Sequence, residues 1–139
     1  ATLSPLDGAA AFLAELRSRT QVILLSDTFE EFARPLMAQL GWPTVLCHRL
    51  EVDGQDRIVD YRLRQPDQKR KAVAALQGLN YRVVAAGDSY NDTTMLAAAD
   101  HGFLFRAPDN VIREFPQFPV TRSYDELRTE IEAALARIG

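Results

Sequence analysis

The stretch "AAGDSYNDTT", residues 85–94, places Asp88, Asn91 and Asp92 within five positions, directly after a run of small apolar residues. A strand that ends in Gly-Asp and turns at once into a polar helix start is a poor way to build a core. It suits a site for a divalent cation and a phosphate: a hard carboxylate oxygen for the metal, a carboxamide and backbone N–H groups at a helix start for the anion. Gly87 lets the backbone turn tightly or approach a ligand closely. The plainer alternative is a capped helix, with Asp88 or Asn91 as the cap and Asp92 answering the dipole. A cap needs one such residue and three are present, so the pattern favours a site.

Two further stretches carry polar groups out of proportion to their surroundings. In "LLSDTFEE", Ser26, Asp27 and Thr28 end an apolar strand and open a helix, setting a hydroxyl and free N–H groups at a positive dipole end. The same three residues also make a good N-cap, and the stretch alone does not decide between the two. In "PDQKRKAV", Asp67 reads as an N-cap, so Lys69, Arg70 and Lys71 crowd the first turn. Cations there oppose the macrodipole by roughly 0.3–1 kcal/mol each, and an anion held nearby reverses that sign. A solvated basic surface is the alternative. His48 and His101 have no partner at ligand or base spacing, and no nucleophile elbow, P-loop or zinc spacing occurs. Trp42 reads as a packing anchor, and Cys47, in "TVLC", as a buried structural thiol.

Sites in open α/β sheets form beyond the carboxyl ends of the strands, so the elements decide where these residues meet. Pro5 is expected to open a helix with Ala9, Phe12, Leu13 and Leu16 at helical spacing. "QVILLSDT" reads as a strand covered on both faces. The next helix carries Phe29, Phe32, Ala33, Leu36, Met37 and Leu40, has Thr28 and Glu31 at capping-box spacing, contains Pro35 and stops at Gly41. "TVLCHRLEV" and "RIVDYRL" flank Asp53-Gly54, a hairpin signal. "DQKRKAVAALQGL" is a helix, "YRVVAAGD" a strand, "NDTTMLAAA" a helix and "HGFLF" a short strand. A proline-punctuated loop follows, through Pro108, Pro116 and Pro119. A last helix is capped by Ser123 and Glu126 and striped by Leu127, Ile131, Leu135 and Ile138. Alternating strands and helices predict an α/β domain with a mostly parallel sheet.

At 139 residues the chain reads as a single domain, 1–139, large enough to bury a core. A net charge of -3 argues against a nucleic-acid partner, which would want a basic surface. No apolar run approaches the ~18 residues of a membrane span and no signal peptide is visible. One cysteine fits a reducing compartment, and the chain reads as cytoplasmic.

Together the three strand ends resemble the haloacid dehalogenase superfamily of aspartate-dependent phosphohydrolases. "LLSDT" is similar to its second motif, Lys69 stands at its third, and "AAGDSYND" resembles the long G-D-S-x-N-D form of its fourth. More narrowly, "ILLSDTFEEFARPLM", "LCHRLEVD", "GDSYNDTTML" and "NVIREFPQFP" resemble the bacterial phosphoserine phosphatase / homoserine phosphotransferase group, from Leu3 to Leu127. The resemblance implies a three-layer core with a mostly parallel sheet and a Mg²⁺-dependent phosphoaspartyl mechanism. Asp88 then holds Mg²⁺, and Asp92 stands just outside, on metal-bound water or a neighbouring side chain. Ser26, the Asp27 N–H, Lys69 and Asn91 surround the phosphate. Lys69 and Asp88 are the catalytic groups in this chain, phosphoserine is the substrate, and water or homoserine is the acceptor.

The family's first motif, Asp-x-Asp, supplies the nucleophile from the end of a central first strand, and no Asp-x-Asp occurs in this sequence. The helical cap that follows that strand has no counterpart either. In this fold the first strand lies between the strand ending at Asp88 and the one ending at Ser26, so both are expected to present unpaired edges. An upstream segment of a longer parent, or a partner chain, a homodimer included, is expected to fill that gap. On its own the chain is expected to be inactive. Another small-molecule phosphatase of the superfamily and a non-catalytic binding or scaffold module are the alternatives.

Overall fold

The alternation of apolar and amphipathic stretches gives alternating strands and helices. The computed structural model describes residues 5–52, 58–62 and 67–138. They fall into two units, Ala1–Pro66 and Asp67–Gly139, taken in turn.

The first unit comprises α1 (Ala9–Arg19), β1 (Ile23–Phe29), α2 (Glu30–Gln39), β2 (Thr44–Val52) and β3 (Ile58–Arg62). The strands lie in the order β1-β2-β3, with β1 parallel to β2 and β2 antiparallel to β3. Pro5 precedes α1 rather than opening it. The helix starts after Gly8, whose positive φ of 84° turns the chain into it. Ala33 and Met37 of α2 are buried, as is Cys47 of β2. Pro35 is tolerated inside α2. Gly41 ends that run at φ 79°, but Trp42 is 63% exposed and anchors no packing. The β2–β3 pairing is the expected hairpin, and its Asp53-Gly54 turn lies outside the described residues.

The pairing of β1 is irregular where its polar residues begin. Leu25 pairs with Leu46 but Phe29 with His48, so four steps on β1 match two on β2 and the strand bulges across Ser26-Asp27-Thr28. Thr28 therefore belongs to the strand, and α2 starts two residues later at Glu30. The capping box expected of Thr28 and Glu31 is displaced from the helix start for that reason. β1 is an edge strand, and Ile23, Leu24 and Leu25 are half-buried rather than fully covered.

The second unit comprises α3 (Gln68–Gly78), β4 (Val84–Gly87), α4 (Thr93–Ala98), β5 (His101–Phe105), α5 (Asp109–Glu114), β6 (Val120–Thr121) and α6 (Tyr124–Ile138). A single 3-10 turn, Tyr90–Asp92, joins β4 to α4. The sheet is parallel in the order β4-β5-β6, so β4, like β1, is an outer strand. The proline-punctuated loop holds a short helix and a strand, α5 and β6. Pro108 stands at the α5 N-cap, and the Pro119 carbonyl accepts the Leu104 N–H at the start of β6. Ser123 caps α6 by accepting the Glu126 N–H at 3.1 Å, while the Glu126 carboxylate reaches one residue further back, to the Arg122 N–H. Among the described residues no helix is long and apolar enough to cross a membrane.

The core of this unit centres on β5. Leu104 is wholly buried, Phe103 nearly so, and Val73, Met95, Leu96, Val111, Leu127 and Ile131 complete the apolar interior. The buried Thr121 hydroxyl is satisfied by the Leu104 carbonyl at 2.7 Å. α4 lies so close to β5 that a Cβ on Gly102 would fall 2.5 Å from the Leu96 carbonyl oxygen. Gly102→Ala is therefore expected to lower stability by about 1–3 kcal/mol through overpacking. Gly78→Ala, inside α3 with nothing within 4 Å of the added carbon, is expected to raise it by about 0.5 kcal/mol. Urea denaturation midpoints measure both, and equal effects at the two glycines would refute the packing account.

Candidate active site

β4 is built of small residues and ends at a glycine for a steric reason. A Cβ on Gly87 would lie 2.6 Å from both Cβ and Oδ2 of Asp92. With hydrogen there instead, Asp92 folds its carboxylate back under the turn. Its Oδ2 accepts the Asp88 N–H at 2.9 Å, the Ser89 N–H at 3.2 Å and the Ser89 hydroxyl at 3.3 Å. Its Oδ1 accepts Lys69 Nζ at 2.6 Å. The Thr93 hydroxyl donates to the Tyr90 carbonyl at 2.7 Å and fastens the 3-10 turn. Asp92 is 4% exposed and the Lys69 side chain is largely buried, so this ion pair is sheltered from water.

The pair explains the basic first turn of α3. Lys69, its second residue, meets the Asp92 carboxylate, and Arg70 Nε donates to the Asp67 carboxylate. The anions that reverse the unfavourable dipole contact thus belong to the chain itself. Asp67 stands at the N-cap position but in the left-handed region, φ 51° and ψ 44°, and its side chain caps no helix N–H. Its carboxylate instead accepts the Thr94 hydroxyl at 3.0 Å.

The two carboxylates of "GDSYND" titrate in opposite directions. Burial alone would push the Asp92 carboxyl up. The Lys69 hydrogen bond and charge, with the N–H groups of Asp88 and Ser89, outweigh it and hold Asp92 below the ordinary carboxylate range. Partial burial pushes Asp88 up, and the neighbouring Asp92 charge pushes it further; its own backbone N–H and Lys69 offset this only in part. With Lys69, Asp88 and Asp92 ionised the cluster sums to one negative charge (+1 -1 -1 = -1). Asp88 has no cationic hydrogen-bond partner among the described residues. A hard divalent cation fits that deficit, with Asp88 as the donor. No group of three or more His, Cys, Asp or Glu capable of holding a metal occurs among the described residues.

The structure brings Lys69, Asp88 and Asp92 together. Asn91 lies in the same turn, exposed, its carboxamide without a partner among the described residues. The Asp88 and Ser89 N–H groups are already engaged by Asp92, so the Asn91 carboxamide is a free polar donor in this turn. Ser26 and Asp27 lie in the bulge of β1 in the first unit; the Asp27 side chain falls outside what is described. Reading the sequence missed Thr94 and misread Asp67, because a left-handed backbone at Asp67 has no signature in the neighbouring residue types.

The family model for haloacid dehalogenase-like hydrolases matches residues 1–100. Phosphoserine phosphatase ThrH of Pseudomonas aeruginosa (strain PAO1) is 61% identical over 137 residues, covering 99% of this chain and 67% of that protein. A phosphoserine phosphatase of Pseudomonas syringae pv. tomato (strain DC3000) is 62% identical over 136 residues, 98% of this chain and 57% of that protein. The chain thus spans between about half and two thirds of the length of these relatives. Among solved structures, a substrate-bound phosphoserine phosphatase complex superimposes with a TM-score of 0.73 at 21% identity, over 93% of this chain and 63% of that one. At that identity the likeness speaks for the fold.

The opposed carboxylates have measurable consequences for stability. Lys69→Met strands a buried charge and is expected to cost about 3–5 kcal/mol at neutral pH, read by urea denaturation. For Asp92, whose folded value is depressed, the contribution is present above the unfolded value near 3.9 and lost as pH falls through the folded one. Asp92→Asn should therefore flatten the loss of stability below about pH 4. Asp88 has the opposite sign: its ionisation is unfavourable at neutral pH, and that penalty lifts as pH falls through its raised value. In chelator, Asp88→Asn is expected to raise the melting temperature at pH 7; a fall would contradict the unfavourable sign of the Asp88 charge.

Proposed function

The chain belongs to the haloacid dehalogenase-like hydrolases, and we propose that it is the metal- and phosphate-handling portion of a Mg²⁺-dependent phosphoserine phosphatase. The observation that carries the reading is Asp88, a partly desolvated carboxylate without a cationic hydrogen-bond partner among the described residues, beside the sheltered Lys69–Asp92 pair. The similarity to two phosphoserine phosphatases at 61% and 62% identity supports the substrate class.

In this reading Asp88 holds Mg²⁺, which when bound offsets negative charge on the phosphoryl oxygens. Asp92 orients Lys69 and fixes the backbone on which Asp88 rides. Lys69 Nζ and the Asn91 carboxamide meet the phosphoryl oxygens, where groups already in place stabilise charge that develops in the transition state. Ser26 and the Asp27 N–H are assigned to the phosphate by their motif. The nucleophile is an aspartate from a segment outside this sequence. Its carboxylate oxygen bonds to phosphorus as the serine oxygen leaves and takes up a proton. Water then attacks the aspartyl phosphate, releasing inorganic phosphate and restoring the carboxylate. Homoserine in place of water would make the second step a phosphotransfer. In this reading residues 1–139 belong to one core domain of a cytoplasmic enzyme, to which the added segment contributes the nucleophile and its strand.

Phosphate release from phosphoserine tests the reading. The 139-residue chain alone is expected to show no turnover. Joined to the part of the Pseudomonas aeruginosa relative that has no counterpart here, it is expected to turn over with Mg²⁺. In that protein Asp88→Asn and Lys69→Met should each lower kcat by about 10²–10³-fold. Full activity in Asp88→Asn would defeat the role given to Asp88, no turnover by the extended protein would favour a binding module, and a stronger preference for another phosphomonoester would redirect the substrate.

A further inference from the structure

Lys69 is carried by the first turn of α3, and the ion pair to Asp92 fixes only its tip. A second tie joins the same two places. The Asp67 carboxylate, two residues before Lys69, takes the hydroxyl of Thr94, two residues after Asp92, at 3.0 Å. The other oxygen of that carboxylate is held by Arg70 Nε, one residue beyond Lys69, so the acceptor is oriented from its own helix. Asp67 reaches α4 only because its backbone is left-handed, a conformation that Asp and Asn tolerate better than other side chains. A backbone in the ordinary capping conformation would aim the carboxylate at the α3 N–H groups instead. At the far end Gln77 Nε2 donates to the Ala98 carbonyl at 2.9 Å, so α3 is tied to α4 at its last turn as well.

We infer that Asp67 and Thr94 form a positioning clamp that sets the start of α3 against α4 and thereby places the Lys69 ammonium. Neither residue reaches the cluster itself, and both are exposed, so each contributes little to the stability of the fold. Placement is a different matter: a displacement of ~1 Å at a reacting group costs up to ~10²-fold in rate. The clamp is therefore expected to show in the order of Lys69 and in kcat, with little effect on melting. Its meaning for turnover rests on the phosphatase reading; its existence does not.

The experiment uses Thr94→Val, which removes the hydroxyl at nearly constant shape, with Thr94→Ser to restore it and Asp67→Gly to remove the acceptor without backbone strain. In the 139-residue chain, the ζ-NH₃⁺ resonance of Lys69, assigned by its loss in Lys69→Arg, is read by NMR for solvent exchange. Exchange is expected to quicken on the order of fivefold in Thr94→Val and Asp67→Gly, and to return in Thr94→Ser. The melting temperature is expected to move by no more than about 3 °C in all three. An unchanged Lys69 resonance in Thr94→Val and Asp67→Gly overturns the clamp. In the extended protein the same two variants are expected to lower kcat by about tenfold with KM nearly constant. Quickened exchange with unchanged kcat supports the clamp and counts against Lys69 as a phosphoryl-binding group. An extended protein without any turnover sinks the phosphatase reading and leaves the NMR result to decide the clamp.

Discussion

Everything at this site depends on one carboxylate being buried in a turn that has room for it only because residue 87 is glycine. Asp92 is withdrawn from water, which is unfavourable for a charge, and recovers that loss through three backbone or hydroxyl donors and one ammonium. Those four contacts determine three other things. The backbone at Asp88 and Ser89 is fixed by its own N–H groups. Lys69 is drawn from a helix start where its charge is unfavourable into a buried pair. Asp88 is left facing a negative neighbour with its own charge only partly compensated. A methyl group on Gly87 would disturb all three at once.

The sheet presents this turn in a specific way. β5 is the buried spine of the second unit and fixes where β4 ends, through pairing that runs from Val84 with His101 to Gly87 with Leu104. β4 itself is four residues long, small in side chain and on the outside of its sheet. Long apolar edges invite unwanted pairing, and a four-residue edge of valine, alanine and glycine limits that hazard. The same features put Asp88 just past the carboxyl end of an outer strand, and no group of three or more acidic, imidazole or thiol side chains able to hold a metal occurs among the described residues.

Much of this could be read from residue order. "GDSYND" announced a turn with more carboxylate than a cap requires, and the apolar runs located β1, β2, β4 and β5, although only β5 proved to be deeply buried. The burial of Cys47 followed from its neighbours. What escaped reading was decided by contacts distant in sequence or by backbone states that many residue types share. Thr28 looked like a cap and is strand, because β1 bulges against β2 and runs on to Phe29. Trp42 looked like an anchor and is exposed, because the chain leaves α2 through two successive left-handed residues. Asp67 looked like an ordinary cap, and only its left-handed backbone sends its carboxylate to Thr94, 27 residues away.

Asp88 and Asp92 show why residue type alone could not assign their roles. They are the same side chain, four positions apart in one turn. Lys69 and two N–H groups answer the charge on Asp92, so its carboxylate is structural and its ionisation stabilises the fold. Asp88 receives the penalty of partial burial and the repulsion of Asp92 with only partial relief, so its ionisation is unfavourable. The plainer explanation of the motif, a helix start answered by an acid, is thus correct for one of the pair and is what forces the other into a different role. Because Asp92 alone satisfies the turn, Asp88 has no structural reason to be acidic. A neutral residue there is expected to leave the turn more stable, so the carboxylate calls for an explanation other than support of the turn.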